Sequence, residues 1–350
     1  MSITYHERPG VYSDYEASSI TATAAGSKVV AACGVSTAAA GLYTVTSYTS
    51  AATTFGEDSE LGRMLRLLYL NGAGTVLVSP VASDTLENYK AALKLIMEAG
   101  TAAYVVIGSA DEQVQRELLS QVQAASEARH ECLGLVGLAK PTLEHLTDRA
   151  EQLNSERMVL VGPGVYLSGV EEEQPGCMAA AALAGVLAAQ TDPAVPLNGA
   201  QLRGLTGVSA TYNDTEMDTL IRGGITAVEP SGGSITVVRG ITTRTTTGEA
   251  PDTTFRELNT ILIIDEVIPA VRNALRARFS RAKNNAVTRS AIRSQVTVEL
   301  QSRVEREIID SFEAITVTAD ETDPTVCLVE FGFTVTHGLS RIYLTAHISV

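Results

Sequence analysis

The sequence contains no tryptophan and only four cysteines in 350 residues. Cys33, Cys132, Cys177 and Cys327 are widely scattered, form no CxxC pair and each sit among apolar neighbours. They read as small buried hydrophobes rather than as a disulfide framework or a metal site. No apolar run approaches the roughly 20 residues needed to span a bilayer. The N-terminus also lacks the basic-then-apolar order of a secretory signal, so the expectation is a chain that folds in a cytoplasm and makes no membrane contact. Basic residues are scarce as well: 26 Lys and Arg stand against 40 Asp and Glu, for a formal net charge of -14. That balance argues against nucleic acid as a partner, because phosphates are neutralised by Lys and Arg. What is present is 45% hydrophobic residues, enough for one large or two moderate domains with a sizeable core.

The usual signatures of catalysis and cofactor binding are also missing. His6, His130, His145, His337 and His347 show no HxxxH or HExxH spacing, and His130 with Cys132 is too little for a metal site. The one GPG turn, at 162–164, follows a strand pattern, but its proline removes an amide that a phosphate-cradling loop would use, and no GK[ST] follows. There is no GxSxG elbow. The acidic pair Asp265 and Glu266 reads as ordinary exposed helix positions. The expectation is a protein without cofactor, metal or catalytic residues. The alternatives are an α/β enzyme or ligand-binding protein whose site comes together only in three dimensions, or a structural protein.

From about residue 27 to 161 short β-branched runs alternate with longer amphipathic stretches, the pattern of an α/β layer. Strands are predicted at 29–35, 75–79, 104–107, 133–138 and 158–161, and helices at 61–70, 86–97 and 114–128. Asp84 and Asp111 stand where a carboxylate can accept from the free first-turn amides of two of these helices. Residues 175–190 hold MAAAALAGVLAAQ, whose Ala and Gly faces predict a closely packed core helix. Residues 198–247 are richer in Gly and Thr. Within them lie one short helical pattern near 216–222 and, around EPSGG, a β-hairpin of 225–228 with 235–239. A threonine-rich stretch, TTRTTTGEAPDTT, marks a boundary before the last hundred residues.

In that last part Phe255, Leu258, Ile261, Ile264, Ile268, Val271, Leu275 and Phe279 recur at steps of three and four, predicting a long helix with one apolar stripe. Pro269 lies inside it and predicts a kink. After Asn284 and Asn285, a second helix is marked by Ile292, Val296, Leu300, Val304 and Ile308. Strands are predicted at 315–318, 326–336 and 341–350.

Two features call for a partner. Between Val267 and Val298 there is no acidic residue, yet Arg272, Arg276, Arg278, Arg281, Lys283, Arg289 and Arg293 lie there; without those seven the remainder carries -21. A basic patch on an acidic protein can be a solvated helix face or can orient the subunit on an acidic partner. Nucleic acid fits it poorly, since only Phe279 interleaves the basic residues and that ring belongs to the apolar stripe. The second feature is the two chain ends. The last ten residues alternate without fault, placing Ile342, Leu344, Ala346, Ile348 and Val350 on one face, and the opening SITYHERPGVY is likewise extended. Strand addition between neighbouring subunits would satisfy both ends, as would an ordinary intramolecular sheet.

An N-terminal ERPGVY, a chain ending in IYLTAHISV, and the interior segments RMVLVGPGVY, GGITAVEP and DTTFRELNTILIIDEVIPAVRNALR, taken in that order, resemble the contractile tail sheath proteins of phages, R-type bacteriocins and related injection systems. The resemblance is strongest at the two ends and after residue 253, and beside it stands the alternative of another, non-contractile tail or capsid component. It implies an N-terminal arm (1–20), an inserted, sandwich-like α/β domain with a mixed sheet (21–247, with the hairpin region at 198–247), and a conserved C-terminal domain (248–350). That last domain would hold two long helices and an antiparallel sheet completed by the arm, α+β overall. It further implies a self-assembling subunit whose partners are copies of itself, an inner tail tube, a baseplate and a tail terminator, assembled in a bacterial host. Carried onto this chain, Ile3, Tyr5, Val11 and Tyr12 lie on the exchanged arm. The alternating C-terminal strand belongs to the receiving sheet, and Arg272 to Arg293 is the candidate tube-facing stretch.

Overall fold

A computed structural model describes residues 28–248, 250–340 and 344–345. The chain begins with β1 (Val29–Val35), the short β2 (Tyr43–Val45), α1 (Tyr48–Phe55), α2 (Glu60–Leu70) and β3 (Val76–Val81). Strands and helices then alternate through α3 (Leu86–Ala99), β4 (Ala102–Ile107), α4 (Glu112–Glu127), β5 (Leu133–Gly137), α5 (Leu143–Leu153) and β6 (Met158–Gly162). A small antiparallel insertion, β7 (Val165–Leu167) and β8 (Val170–Gln174), precedes α6 (Cys177–Ala189), and β9 (Leu205–Val208) returns to pair with β7. Helix α7 (Asp214–Arg222) and the hairpin β10 (Ile225–Ser231) with β11 (Ser234–Val237) complete the α/β body.

Eight strands form one sheet in the order β11-β10-β6-β5-β4-β1-β3-β2. The six inner strands are parallel, and the edge strands β2 and β11 run antiparallel. A sheet buried on both faces needs apolar residues at every position, and β3, β5 and β6 are buried throughout. Alternate residues of β1 divide between two cores: Val30 and Ala32 join α1, α2 and α6, while Ala31 and Cys33 join α3, α4 and α5. Helix α6 is buried nearly all round. It approaches β5 so closely that a Cβ on Gly137 would stand 2.0 Å from the carbonyl carbon of Gly176. Asp111 caps α4 by accepting from the amides of Gln113 and Val114. Asp84 is not a cap: Thr85 occupies that position of α3 and makes no side-chain bond there.

The C-terminal part opens with the two-residue strands β12 (Thr246–Thr247) and β13 (Ala250–Pro251). Helix α8 (Leu258–Phe279) continues through Pro269, and α9 (Ala286–Glu305) starts at Asn285, whose side chain accepts from the Thr288 amide. The expected single stripe on α8 is in fact two faces. Leu258, Ile261 and Leu262 join the α/β core, whereas Ile263, Val267 and Val271 join a third core with Ile292, Val296 and Leu300 of α9. Helix α9 ends before Ile308 because Glu307 takes a left-handed φ of 59°, and Ile308 instead leads into a strand the periodicity did not predict, β14 (Ile309–Phe312). Then come β15 (Thr316–Ala319), β16 (Cys327–Glu330) and β17 (Phe333–Val335). The single strand expected at 326–336 is broken at Gly332, whose carbonyl accepts from the Glu313 amide. As a result β16 pairs with β15 and β17 with β14, in two separate two-stranded ribbons.

Candidate assembly surfaces

The basic stretch occupies the end of α8, the turn after it and the first half of α9. Arg276 and Arg278 fall in the last turn of α8, where positive charge complements the free carbonyls of the helix end. At the other side of the turn α9 has no acidic residue in its first turn, so the positive end of its dipole adds to the side chains. Arg276, Arg278, Arg281, Lys283 and Arg293 are exposed, and Arg289 is half-buried. Arg278 donates to Gln295 and lies over the Phe279 ring, and Arg289 donates to Asn284. Among the described residues no carboxylate forms an ion pair with any of these six.

Arg272 has a different role from the other six. Its fork donates to both oxygens of Glu131 at 2.6 and 3.2 Å, tying α8 to the segment just before β5. Burial alone would raise the Glu131 carboxyl, but the Arg272 hydrogen bonds and charge outweigh it and hold the group below its ordinary range. Asp265 likewise corrects the reading of an exposed acidic pair, because it is nearly buried and accepts from Arg157 at 2.5 Å. Burial raises its carboxyl against the opposing pull of Arg157. Neither pairing is visible in local sequence, since the partners are 108 and 141 residues apart.

Sequence reasoning also missed the counterpart of the basic stretch. From Glu307 to Glu330 the chain carries Glu307, Asp310, Glu313, Asp320, Glu321, Asp323 and Glu330 without a single Lys or Arg. The same charge count that found the basic run would have found this one. The two runs meet at one point, where Asn284 donates to the carbonyls of Pro324 and Val326 in the β15–β16 turn.

Around that acidic run the two ribbons keep open edges. β14 pairs only with β17 and β15 only with β16 among the described residues. Their burial is partial, and Leu328 and Leu339 are exposed. Of the alternating C-terminal face, Leu344 is described, lies in no strand of this chain and is 90% exposed. Ile342, Ala346, Ile348 and Val350, and the arm residues Ile3, Tyr5, Val11 and Tyr12, lie outside the described residues.

Three of the four thiols are buried, and burial pushes Cys132 up to about 12 and Cys33 and Cys177 higher still. Cys327, expected to be buried with them, is only half-buried on β16. Among the described residues no group of three or more His, Cys, Asp or Glu side chains could hold a metal ion, and no helix is long and apolar enough to cross a membrane. A cavity of about 390 Å³ at the carboxyl ends of β4 and β5 is lined by His145, Asp148 and Arg149. The Arg149 guanidinium is already committed to Gln115 and the Ala110 carbonyl.

Comparison with known proteins identifies this architecture. The family model of the phage tail sheath protein central domain matches residues 83–243, and that of the phage tail sheath C-terminal domain matches 250–349. The tail sheath protein of Bacillus phage SP01 is 30% identical over 250 residues, which are 69% of this chain and 42% of that protein. The chain thus spans less than half the length of this curated relative. The helical sheath of the anti-feeding prophage in its contracted state has a TM-score of 0.74 at 16% identity, covering 99% of this chain and 100% of that one. A sheath tail protein from Desulfitobacterium hafniense has a TM-score of 0.69 at 12% identity, covering 93% and 100%. With two domain models of one family matching in order, and the same fold along almost its whole length, the chain belongs to the phage tail sheath family.

Proposed function

We propose that this chain is the structural subunit of a contractile sheath, which polymerises into a helical cylinder around an inner tail tube and contracts to drive that tube through a target envelope. The family is one of structural sheath proteins. The observation that carries the reading beyond family membership is the pair of two-stranded ribbons with open edges. Such edges template strand addition. The occupant is the arm bearing Ile3, Tyr5, Val11 and Tyr12, supplied by a neighbouring copy, and the alternating C-terminal strand, from Ile342 to Val350, is part of the sheet that receives it. In this reading residues 1–20 are the arm, 21–247 the inserted domain and 248–350 the conserved domain. The exposed basic turn, Arg276, Arg278, Arg281, Lys283, Arg289 and Arg293, faces the tube. A charge contact that salt screens suits a surface that must hold register and then release. Baseplate and terminator proteins cap the polymer, which assembles in the host cytoplasm without catalysis or cofactor.

Electron microscopy of the purified chain tests this directly. Long hollow cylinders are expected, and deletion of residues 1–15 should leave a folded protein that no longer forms them. Discrete monomers of the intact chain at high concentration would overturn the sheath reading. Cylinders that persist after the deletion would overturn the strand-exchange part alone.

A further inference from the structure

Helix α8 belongs to both the α/β core and the third core, and its apolar residues repeat at three and four. Such a repeat is nearly degenerate to sliding: moved by one turn, about 5.4 Å, the helix presents much the same apolar faces to the same grooves. Apolar packing alone therefore specifies the register of α8 weakly. At its start the Asn259 amide helps to fix the helix by donating to the carbonyls of Pro193 and Val195, and further along charge placement adds to it. Glu131 and Arg157 stand just before the adjacent parallel strands β5 and β6, at the amino-terminal edge of the sheet. Arg157 meets Asp265, with side chains 12% and 13% exposed, and Glu131 meets Arg272, with side chains 14% and 32% exposed. Asp265 and Arg272 are seven residues apart, about two helical turns.

The two contacts have opposite polarity. The helix supplies the acid in one and the base in the other, so an arrangement that carries Arg272 toward Arg157, or Asp265 toward Glu131, opposes like charges. A third cation reinforces the asymmetry. Lys28, just before β1, lies over the Tyr104 ring at 5.9 Å. Burial lowers its ammonium, while Glu266 and Asp265 pull it back up. Asp265 also keeps one oxygen, Oδ1, buried and without a hydrogen-bond partner, so this carboxylate is held by charge more than by saturated hydrogen bonds. Buried pairs of this kind contribute little net stability compared with apolar residues of similar size, and their best-attested role is to fix a registry.

We infer that Glu131–Arg272 and Arg157–Asp265 form a charge key that sets the axial register of α8 against the amino-terminal edge of the sheet, and so aims the basic turn at the end of the helix. All four are positioning residues. A register error of one turn displaces that turn by about 5 Å, enough to break a direct charge contact. The importance of the aim for docking rests on the proposed sheath role, but the key is a property of the single chain and is measured on it.

The test places spin labels on the full chain at Val287→Cys, in the first turn of α9 beside the basic turn, and Gln113→Cys, on α4, in a Cys327→Ser background. With the key intact a single distance is expected. Replacing both pairs together (Glu131→Leu, Arg157→Met, Asp265→Leu, Arg272→Met) should keep the cooperative melt and add a second distance population, displaced on the order of 5 Å. A single unchanged distance in that variant overturns the inference. Should the fourfold variant fail to fold, partner exchange decides. Glu131→Arg alone should broaden the distance and Glu131→Arg with Arg272→Glu should sharpen it again; an exchange that restores nothing overturns the key. Neither readout requires polymer, so a chain with an intact key that forms no cylinders would fail the sheath proposal alone.

Discussion

The α/β body and the C-terminal unit solve the burial problem in different ways. The body surrounds its sheet on both faces, so β3, β5, β6 and α6 have hardly an exposed residue. The C-terminal unit packs two helices against two ribbons, and each of β14 to β17 mixes buried or half-buried positions with exposed ones. Charge follows the same division. The body pairs Lys90 with Glu117 and Arg116 with Glu112, whereas the acidic run from Glu307 to Glu330 and the basic residues from Arg276 to Arg293 form no ion pair among the described residues. Among the described residues the body's sheet has edges only at β2 and β11 and is covered on both faces, so it leaves little for a neighbour to bury. A region with open edges and separated charges has bonding capacity left for one.

The sharpest way to break this contrast is by truncation in each region. Leu183→Ala empties a fully buried site in α6 and should cost about 2–5 kcal/mol in urea unfolding. Val329→Ala, on the half-buried face of β16, should cost about 1 kcal/mol in the unassembled chain. Equal losses would mean that the ribbons are as self-contained as the body and have no deficit for a neighbour to fill.

Reversal of charge should have a smaller effect on stability and a selective one on assembly. Arg276 and Arg281 are exposed and pair with no carboxylate among the described residues, so Arg276→Glu with Arg281→Glu should cost less than about 1 kcal/mol, chiefly by opposing the helix end that Arg276 complements. Co-sedimentation with the tube protein should fall well before self-association does, and the deficit should shrink as salt is raised. Equal loss of both activities would move the tube-facing surface elsewhere.

The body was also the more legible region in the sequence. The strand predicted at 29–35 is β1 to the residue, Asp111 caps α4, and MAAAALAGVLAAQ is the buried α6. Those readings rest on local rules: β-branched runs, first-turn acceptors and small-residue faces. The failures share a different cause. The run 326–336 splits at Gly332 because its two halves pair with different strands, β15 and β14, and Asp265 is buried where Arg157, 108 residues away, comes to meet it. Periodicity carries no information about such partners. The same holds for Arg272, which shares its neighbours' composition and not their exposure. The charge run was visible in the sequence, but which of its members were free required the fold.

The junction between the two regions allows the finest measurement. Asp252, just after β13, accepts from the Thr247 hydroxyl at 2.5 Å and the Thr254 amide at 2.9 Å, with Arg244 at 3.9 Å. These bonds, the one from Thr247 first, hold its carboxyl down at about 2. A carboxylate lowered on folding contributes stability that is fully present above its unfolded value and lost as the pH falls through the folded one. Its contribution to holding β12 and β13 together should therefore persist at pH 4 and disappear near pH 2. A carboxyl-carbon NMR titration reads this site directly, and Thr247→Val should move the midpoint upward toward the ordinary aspartate range. A midpoint already ordinary in the unaltered chain would mean that the hydroxyl bond is not kept in solution. The link between body and C-terminal unit would then rest on α8, through Leu258, Ile261 and Leu262 in the α/β core and the pairs with Arg157 and Glu131, with the threonine-rich linker contributing little.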